Sequence, residues 1–199
     1  MPTLAVPLQK QEKSHWCWVA VTNAIAGFYE KVTHWSQGKL INEIKSNRHY
    51  KTKIVAQINA GADKVDIDNI PGAIEDSLRM IQCFQDKLTV PKSTTLDALQ
   101  SWAVNVFEQV KHQINLQRPI VCCLKPRGTD VEGHIAIIVG YQGDTVLWRE
   151  PGHPDILRSS SSFFQFLTGA ESIAYVKYMV YTKPSSENTN DRDLVYKSR

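Results

Sequence analysis

Gln11-Glu12-Lys13-Ser14-His15-Trp16-Cys17-Trp18 is the stretch around which the rest of the chain is organised. From Trp16 to about Lys31 the apolar positions Val19, Ala20, Ile25, Ala26 and Phe28 are nearly continuous, which predicts a central helix buried on most sides, with Cys17 at its head. A thiol reacts as its thiolate, and the positive end of a helix lowers its pKa, so Cys17 stands where a nucleophile would be placed. Gln11 lies six residues upstream, a spacing that lets its amide fold back beside the thiol and donate to a developing oxyanion. A cysteine in a helix is ordinarily packing. Reading Cys17 as a nucleophile therefore requires a base and an orienting group elsewhere in the chain.

Before this helix, residues 1–15 read as extended, because Pro2 and Pro7 deny an early helix. After it, a second helix is predicted to start with Ser36 as N-cap, to carry Leu40, Ile41 and Ile44 on one face, and to end near Asn47. Residues 48–68 are polar and irregular, with an Ala-Gly-Ala-Asp turn at 60–63; Asp68-Asn69-Ile70-Pro71 then supplies a cap and an early proline. Ile74, Leu78 and Ile81 predict a helix from about Pro71 to Phe84, with Cys83 as a semi-buried residue near its end. A loop through Pro91 leads to a further helix marked by Val106, Phe107, Val110 and Ile114, which Gln117-Arg118-Pro119 terminates.

There the period changes. Ile120 to Leu124, bounded by prolines, reads as a buried strand. His134 to Tyr141 and Thr145 to Trp148 form two more, joined by a tight turn at Gln142-Gly143-Asp144, and Ala174 to Thr182 a fourth. Ser159 to Ser162 reads as a flexible or capping stretch before a short helix anchored by Phe163, Phe164 and Phe166. The tail, residues 184–199, is polar, charged and expected to be disordered. The fold class is thus α+β in a single domain over 1–183, a helical lobe over about 1–118 and an antiparallel sheet lobe over about 119–183, with a cleft between.

Composition removes several function classes. The formal charge is +3, from 23 basic and 20 acidic residues spread along the chain, so no nucleic-acid or membrane-surface footprint stands out. The longest apolar run, Ile135 to Val139, is too short to span a bilayer, and the N-terminus has no secretory signal pattern. Four cysteines, two of them adjacent at Cys122 and Cys123, fit neither a disulfide framework nor a zinc ribbon and point to a reducing compartment.

A cysteine nucleophile needs an imidazole to take its proton. His15 precedes the helix and points away from a shared face; His34, His49 and His112 lie in polar or helical surroundings; His153 sits in a Pro-Gly loop. His134 differs. Gly133-His134 leads straight into the strand Ile135-Ala136-Ile137-Ile138-Val139-Gly140-Tyr141, which holds the imidazole at a rigid strand end, with Gly133 permitting close backbone approach. Glu150, in Trp148-Arg149-Glu150-Pro151, ends the neighbouring strand, where a carboxylate can hold the imidazole tautomer.

Gln11-x5-Cys17-Trp18, then Gly133-His134 before an apolar strand and Gly-Tyr, then Glu150-Pro151, together resemble the papain-like cysteine peptidases. The similarity is closer to the compact bacterial forms, namely staphopains, bacteriocin-leader peptidases and effector peptidases of plant pathogens, several of which share a Trp-Cys-Trp-Ala-like start, here Trp16 to Ala20. Ser36-Gln37, Arg118-Pro119-Ile120-Val121 and the Tyr-rich final strand are lesser echoes, and the resemblance spans about residues 9–183. It implies a papain-like fold, a Cys17 thiolate paired with a His134 imidazolium, at a thiol pKa of about 3–4 in such pairs, and an oxyanion hole from Gln11 and the Cys17 N–H. Trp18 would shape the cleft wall and bind substrate. Glu150 departs from the family's Asp or Asn by one methylene or a changed group.

The expected activity is endopeptidase cleavage of a protein or peptide through a Cys17 thioester, with no metal or organic cofactor. An acyltransferase, a transglutaminase or a glutamine deamidase would run through the same thioester, and a catalytically silent binding module would keep the same fold. The ten residues before Gln11 are too few for an inhibitory propeptide, so restraint is expected from an inhibitor or immunity partner, a host activating protein, or delivery into another cell, as for a bacterial effector or toxin. A monomer without nucleic-acid or membrane partners is expected, cytoplasmic or exported by a specialised secretion system.

Overall fold

The computed structural model describes residues 1–30, 36–46, 74–91, 95–126, 133–169 and 174–187. Two of the expectations above, the polar stretch 48–68 with its turn at 60–63 and the Asp68 to Pro71 helix start, lie outside them, as does the tail beyond residue 187. No helix among the described residues is long and apolar enough to cross a membrane.

The central helix, α1, runs Cys17–Glu30, and every residue from Cys17 to Ile25 is buried. The second, α2, covers Gln37–Ser46; Ser36 Oγ accepts from the Lys39 N–H at 3.1 Å, as the capping residue should. A short helix, α3 (Ile74–Met80), packs beside α1. Thr22 and Ser77 hydroxyls meet there at 2.7 Å, one from each helix, in an otherwise apolar interface. The long α4 (Leu96–Asn115) begins at the N-cap Thr95 and buries Ala103, Val106, Phe107, Val110 and Ile114 along one stripe.

The strands are β1 (Phe84–Thr89), β2 (Ile120–Pro126), β3 (His134–Gln142), β4 (Thr145–Glu150), β5 (His153–Ser159) and β6 (Ala174–Thr182), with the small helix α5 (Phe163–Thr168) between the last two. Among the described residues they form one sheet in the order β1-β6-β2-β3-β4-β5, and every neighbouring pair is antiparallel. β2, β3 and β6 are central and mostly buried, which is why they read as near-continuous apolar runs. The mixture of helices and antiparallel sheet is the α+β class expected.

Two elements differ from expectation. The helix predicted to reach Phe84 stops at Met80, because Gln82 takes a left-handed φ of 58° and the N–H groups of Gln82 and Cys83 turn back to Arg79 and Leu78. The chain then enters β1, so a strand from before residue 118 joins the sheet edge. Gln117 ends α4 with the same motif at φ 59°, and after Pro119 the chain enters β2. The second difference is β5, the other edge strand, which replaces the loop expected at His153. The hairpin between β3 and β4 is as read, with Gly143 at φ 56° in a two-residue loop.

The N-terminal segment is laid along β3. The Leu4 N–H donates to Val139 at 2.7 Å, and Thr3 bridges Gly140. Further on, the Gln11 N–H donates to the Pro151 carbonyl at 3.0 Å, one residue past Glu150. The segment therefore ties the head of α1 to the ends of β3 and β4.

Candidate active site

Cys17 is the first residue of α1 and is 9 % exposed, so its sulfur lies at the rim of the core. Backbone N–H groups of Ile135, Trp18 and Cys17 itself reach the sulfur and lower its pKa, but burial outweighs them and the neighbouring Cys123 adds to the rise, leaving the thiol above its ordinary value. The direction is opposite to the low value that the helix end alone implies, because desolvation of a thiolate acts against the helix and amide contributions.

His134 opens β3, and its neighbour Ile135 supplies one of the amides at the Cys17 sulfur. The imidazole Nε2 lies 3.3 Å from Glu150 Oε2, at the end of β4. This contact leaves Nδ1 as the nitrogen through which the ring can take a proton from a thiol. Burial lowers the His134 pKa, Glu150 raises it and Arg158 lowers it. Gly133 makes the close approach expected of it: a Cβ there would overlap the Leu124 carbonyl oxygen and stand 3.2 Å from Cys123 Sγ. Cys123 itself faces Ile135 in the β2–β3 register.

Gln11 lies next to this group but is turned inward. Its Nε2 donates to the carbonyls of Lys13 at 3.0 Å and Ser14 at 2.8 Å, which uses both amide hydrogens, while Oε1 is buried without a partner among the described residues. Gln37 of α2 fixes the same turn, donating to Lys10 at 2.7 Å and accepting from the Glu12 N–H at 3.1 Å. Trp18, expected on the cleft wall, is 2 % exposed and belongs to the core. All four cysteines are free, and no cluster of three or more metal-ligating side chains occurs among the described residues.

The residue that sequence reading missed is Arg158. It sits on β5 opposite Trp148, and its Nη2 pairs with Glu150 Oε1. Its guanidinium carbon lies 5.5 Å from the Trp148 ring centre. With Trp148, Leu124, Gln165 and Phe166 it lines an open cavity of about 380 Å³ beside the Glu150 end of the site. The one signal in the sequence was its spacing, eight residues after Glu150 across a Pro-Gly turn, which is hairpin geometry.

A model of the Peptidase_C39 like family matches residues 3–165. The chain belongs to the Peptidase_C39-like family. The match starts in the N-terminal segment and runs through Cys17, His134, Glu150 and Arg158 into α5. Membership in the Peptidase_C39-like family supports a papain-like cysteine peptidase and therefore a hydrolase acting through a thiol. No curated protein matches the chain.

Proposed function

We propose that the chain is a cysteine endopeptidase of papain-like arrangement in which Cys17, His134 and Glu150 act as one unit. A cleft between the helices and the sheet, to which β1 contributes an edge strand from before residue 118, takes a protein or peptide. The observation that carries the reading is the pairing of His134 Nε2 with Glu150 at 3.3 Å on two neighbouring strand ends, with the amide of the next residue, Ile135, at the Cys17 sulfur.

Burial favours the neutral thiol and the neutral imidazole in the resting site. On attack, the Cys17 proton passes to His134, and the sulfur bonds to the peptide carbonyl carbon. The growing imidazolium charge is met by Glu150, and the oxyanion is held by backbone N–H at the head of α1 together with Gln11, once its amide turns out of the 13–14 turn. His134 then gives its proton to the leaving amine, and water, deprotonated by the same imidazole, hydrolyses the thioester. Glutamate in the third position fits because it reaches the imidazole from the strand end while its other oxygen is held by Arg158.

The test is labelling by a thiol-reactive epoxide, followed by mass spectrometry of an offered polypeptide. Wild type is expected to be labelled at Cys17 and to cut the polypeptide, and Cys17→Ala to do neither. Labelling no faster than in Cys17→Ala would end the enzyme reading, and a mass change in an intact chain would replace hydrolysis by acyl transfer or deamidation.

A further inference from the structure

We propose that Arg158 is a positioning residue that holds the Glu150 carboxylate against the His134 imidazole. The purpose assigned to this contact rests on the peptidase reading above; the contact itself is tested without it.

Glutamate has one more rotatable bond than aspartate, so a Glu at a strand end needs a second anchor to keep a carboxylate at a fixed place. Here the two oxygens are divided. Oε2 faces His134 at 3.3 Å, longer than a typical N–H···O bond, and Oε1 pairs with the Arg158 guanidinium. The carboxylate is therefore anchored on the arginine side and presented to the imidazole. Arg158 suits this task because its own placement is fixed. It lies directly across from Trp148 in the β4–β5 register, with its guanidinium over the Trp148 ring, and its planar fork loses little freedom on pairing. Glu150 stands opposite His153, two residues along β4 from the Trp148–Arg158 pair, so the arginine reaches along the sheet to the carboxylate. Glu150 has only 17 % of its side chain exposed, which limits its alternative partners.

The charged groups that act on His134 are Glu150 from β4 and Arg158 from β5; the thiols of Cys17 from α1 and Cys123 from β2 lie against its chain neighbours, Ile135 and Gly133. The two charges act on the imidazole in opposite directions. The Glu150 charge favours imidazolium, and the Arg158 charge disfavours it by a smaller amount. This opposition gives the proposal a sign that a through-space role lacks. If Arg158 acted only by its charge, its removal would raise the His134 pKa. Because it holds Glu150 in place, its removal releases the larger, favourable partner and the pKa falls.

The measurement is an NMR titration of the His134 ring in the full chain carrying Cys17→Ala, which removes coupling to the thiol and makes the readout independent of turnover. Arg158→Met keeps an unbranched stem over Trp148 and removes the cation. It is expected to lower the His134 pKa by about one unit, the lower end of what an adjacent opposite charge is worth. In the Glu150→Gln background the same change is expected to raise it, since only the through-space effect is left. If Arg158→Met does not melt cooperatively, Arg158→Gln takes its place in both backgrounds. A rise, or no change, in the presence of Glu150 overturns the proposal. Failure of the peptidase reading is seen separately, as absence of Cys17-dependent labelling in wild type.

Discussion

Replacing Gly133 by alanine tests the claim that His134 is held by close backbone contact. The added Cβ would overlap the Leu124 carbonyl oxygen and lie 3.1 Å from the Leu124 carbonyl carbon, and Leu124 is the residue paired with His134 in the β2–β3 register. Neither side of this clash is the end of a flexible side chain, so relief requires the two strands to part beside the histidine. Overpacking a filled site costs about 1–3 kcal/mol, and a clash with main chain belongs at the upper end. For a chain of this size, about 3 kcal/mol lowers Tm by roughly 6–12 °C. A displacement of the imidazole by about 1 Å would cost on the order of a hundredfold in rate. Gly152→Ala is the control, because a Cβ there meets nothing within 4 Å. Thermal melts and epoxide labelling of both variants decide the matter. If Gly133→Ala melts within a degree of Gly152→Ala and labels at the wild-type rate, close approach at residue 133 does not position His134.

Other outcomes follow from individual contacts. Gln11→Ala is expected to reduce kcat by about 10²–10³ with little change in KM, the loss of one oxyanion donor; steady-state kinetics check this, and a change confined to Tm would leave Gln11 as a brace for the 13–14 turn. Ser77→Ala removes one of the two partners of the buried Thr22 hydroxyl, which keeps its bond to the Trp18 carbonyl at 2.8 Å, and denaturant unfolding should show a loss of about 1 kcal/mol. Thr95→Ala removes the side chain that accepts from the Ala98 N–H at 3.3 Å, and should cost about 1 kcal/mol in the same assay. His134 has a folded-state pKa below its ordinary 6.5, so the unfolded chain holds more of this proton between the two values. Its contribution to stability is complete above 6.5 and is lost as pH falls through the lowered folded value, and comparing Tm against pH for wild type and His134→Gln should show a shallower acid slope in the variant.

The parts of the fold that were legible are those whose signals are local. The unbroken apolar run of α1, the Ser36 cap, the Gly143 turn and the buried β2, β3 and β6 each write their structure into a few consecutive residues. The two missed strands are the sheet edges. β1 carries Gln85-Asp86-Lys87 and β5 carries His153-Pro154-Asp155, sequences too polar to read as strands and held by a single neighbour each. The stop before β1 was hidden because a glutamine, not a glycine, takes the left-handed position at residue 82. Arg158 went unseen for the same reason as β5, since an arginine on an unrecognised strand has no visible neighbour. The positions of Cys17, His134 and Glu150 at the ends of α1, β3 and β4 were legible because those element boundaries are sharp. Trp18 was misplaced because a tryptophan beside a cysteine reads as surface until the phase of the helix shows that it points inward.

β6, the last strand of the sheet in chain order, lies between β1 and β2. A ribosome making this chain releases Cys17, His134 and Glu150 well before residues 174–182, yet the sheet that carries the last two cannot close around its centre until those residues emerge. Hydrophobic β2 must wait for one of its two neighbours, and β1 for its one pairing partner. The nascent polypeptide thus carries Cys17, His134 and Glu150 while the sheet that holds the last two is still without its sixth strand.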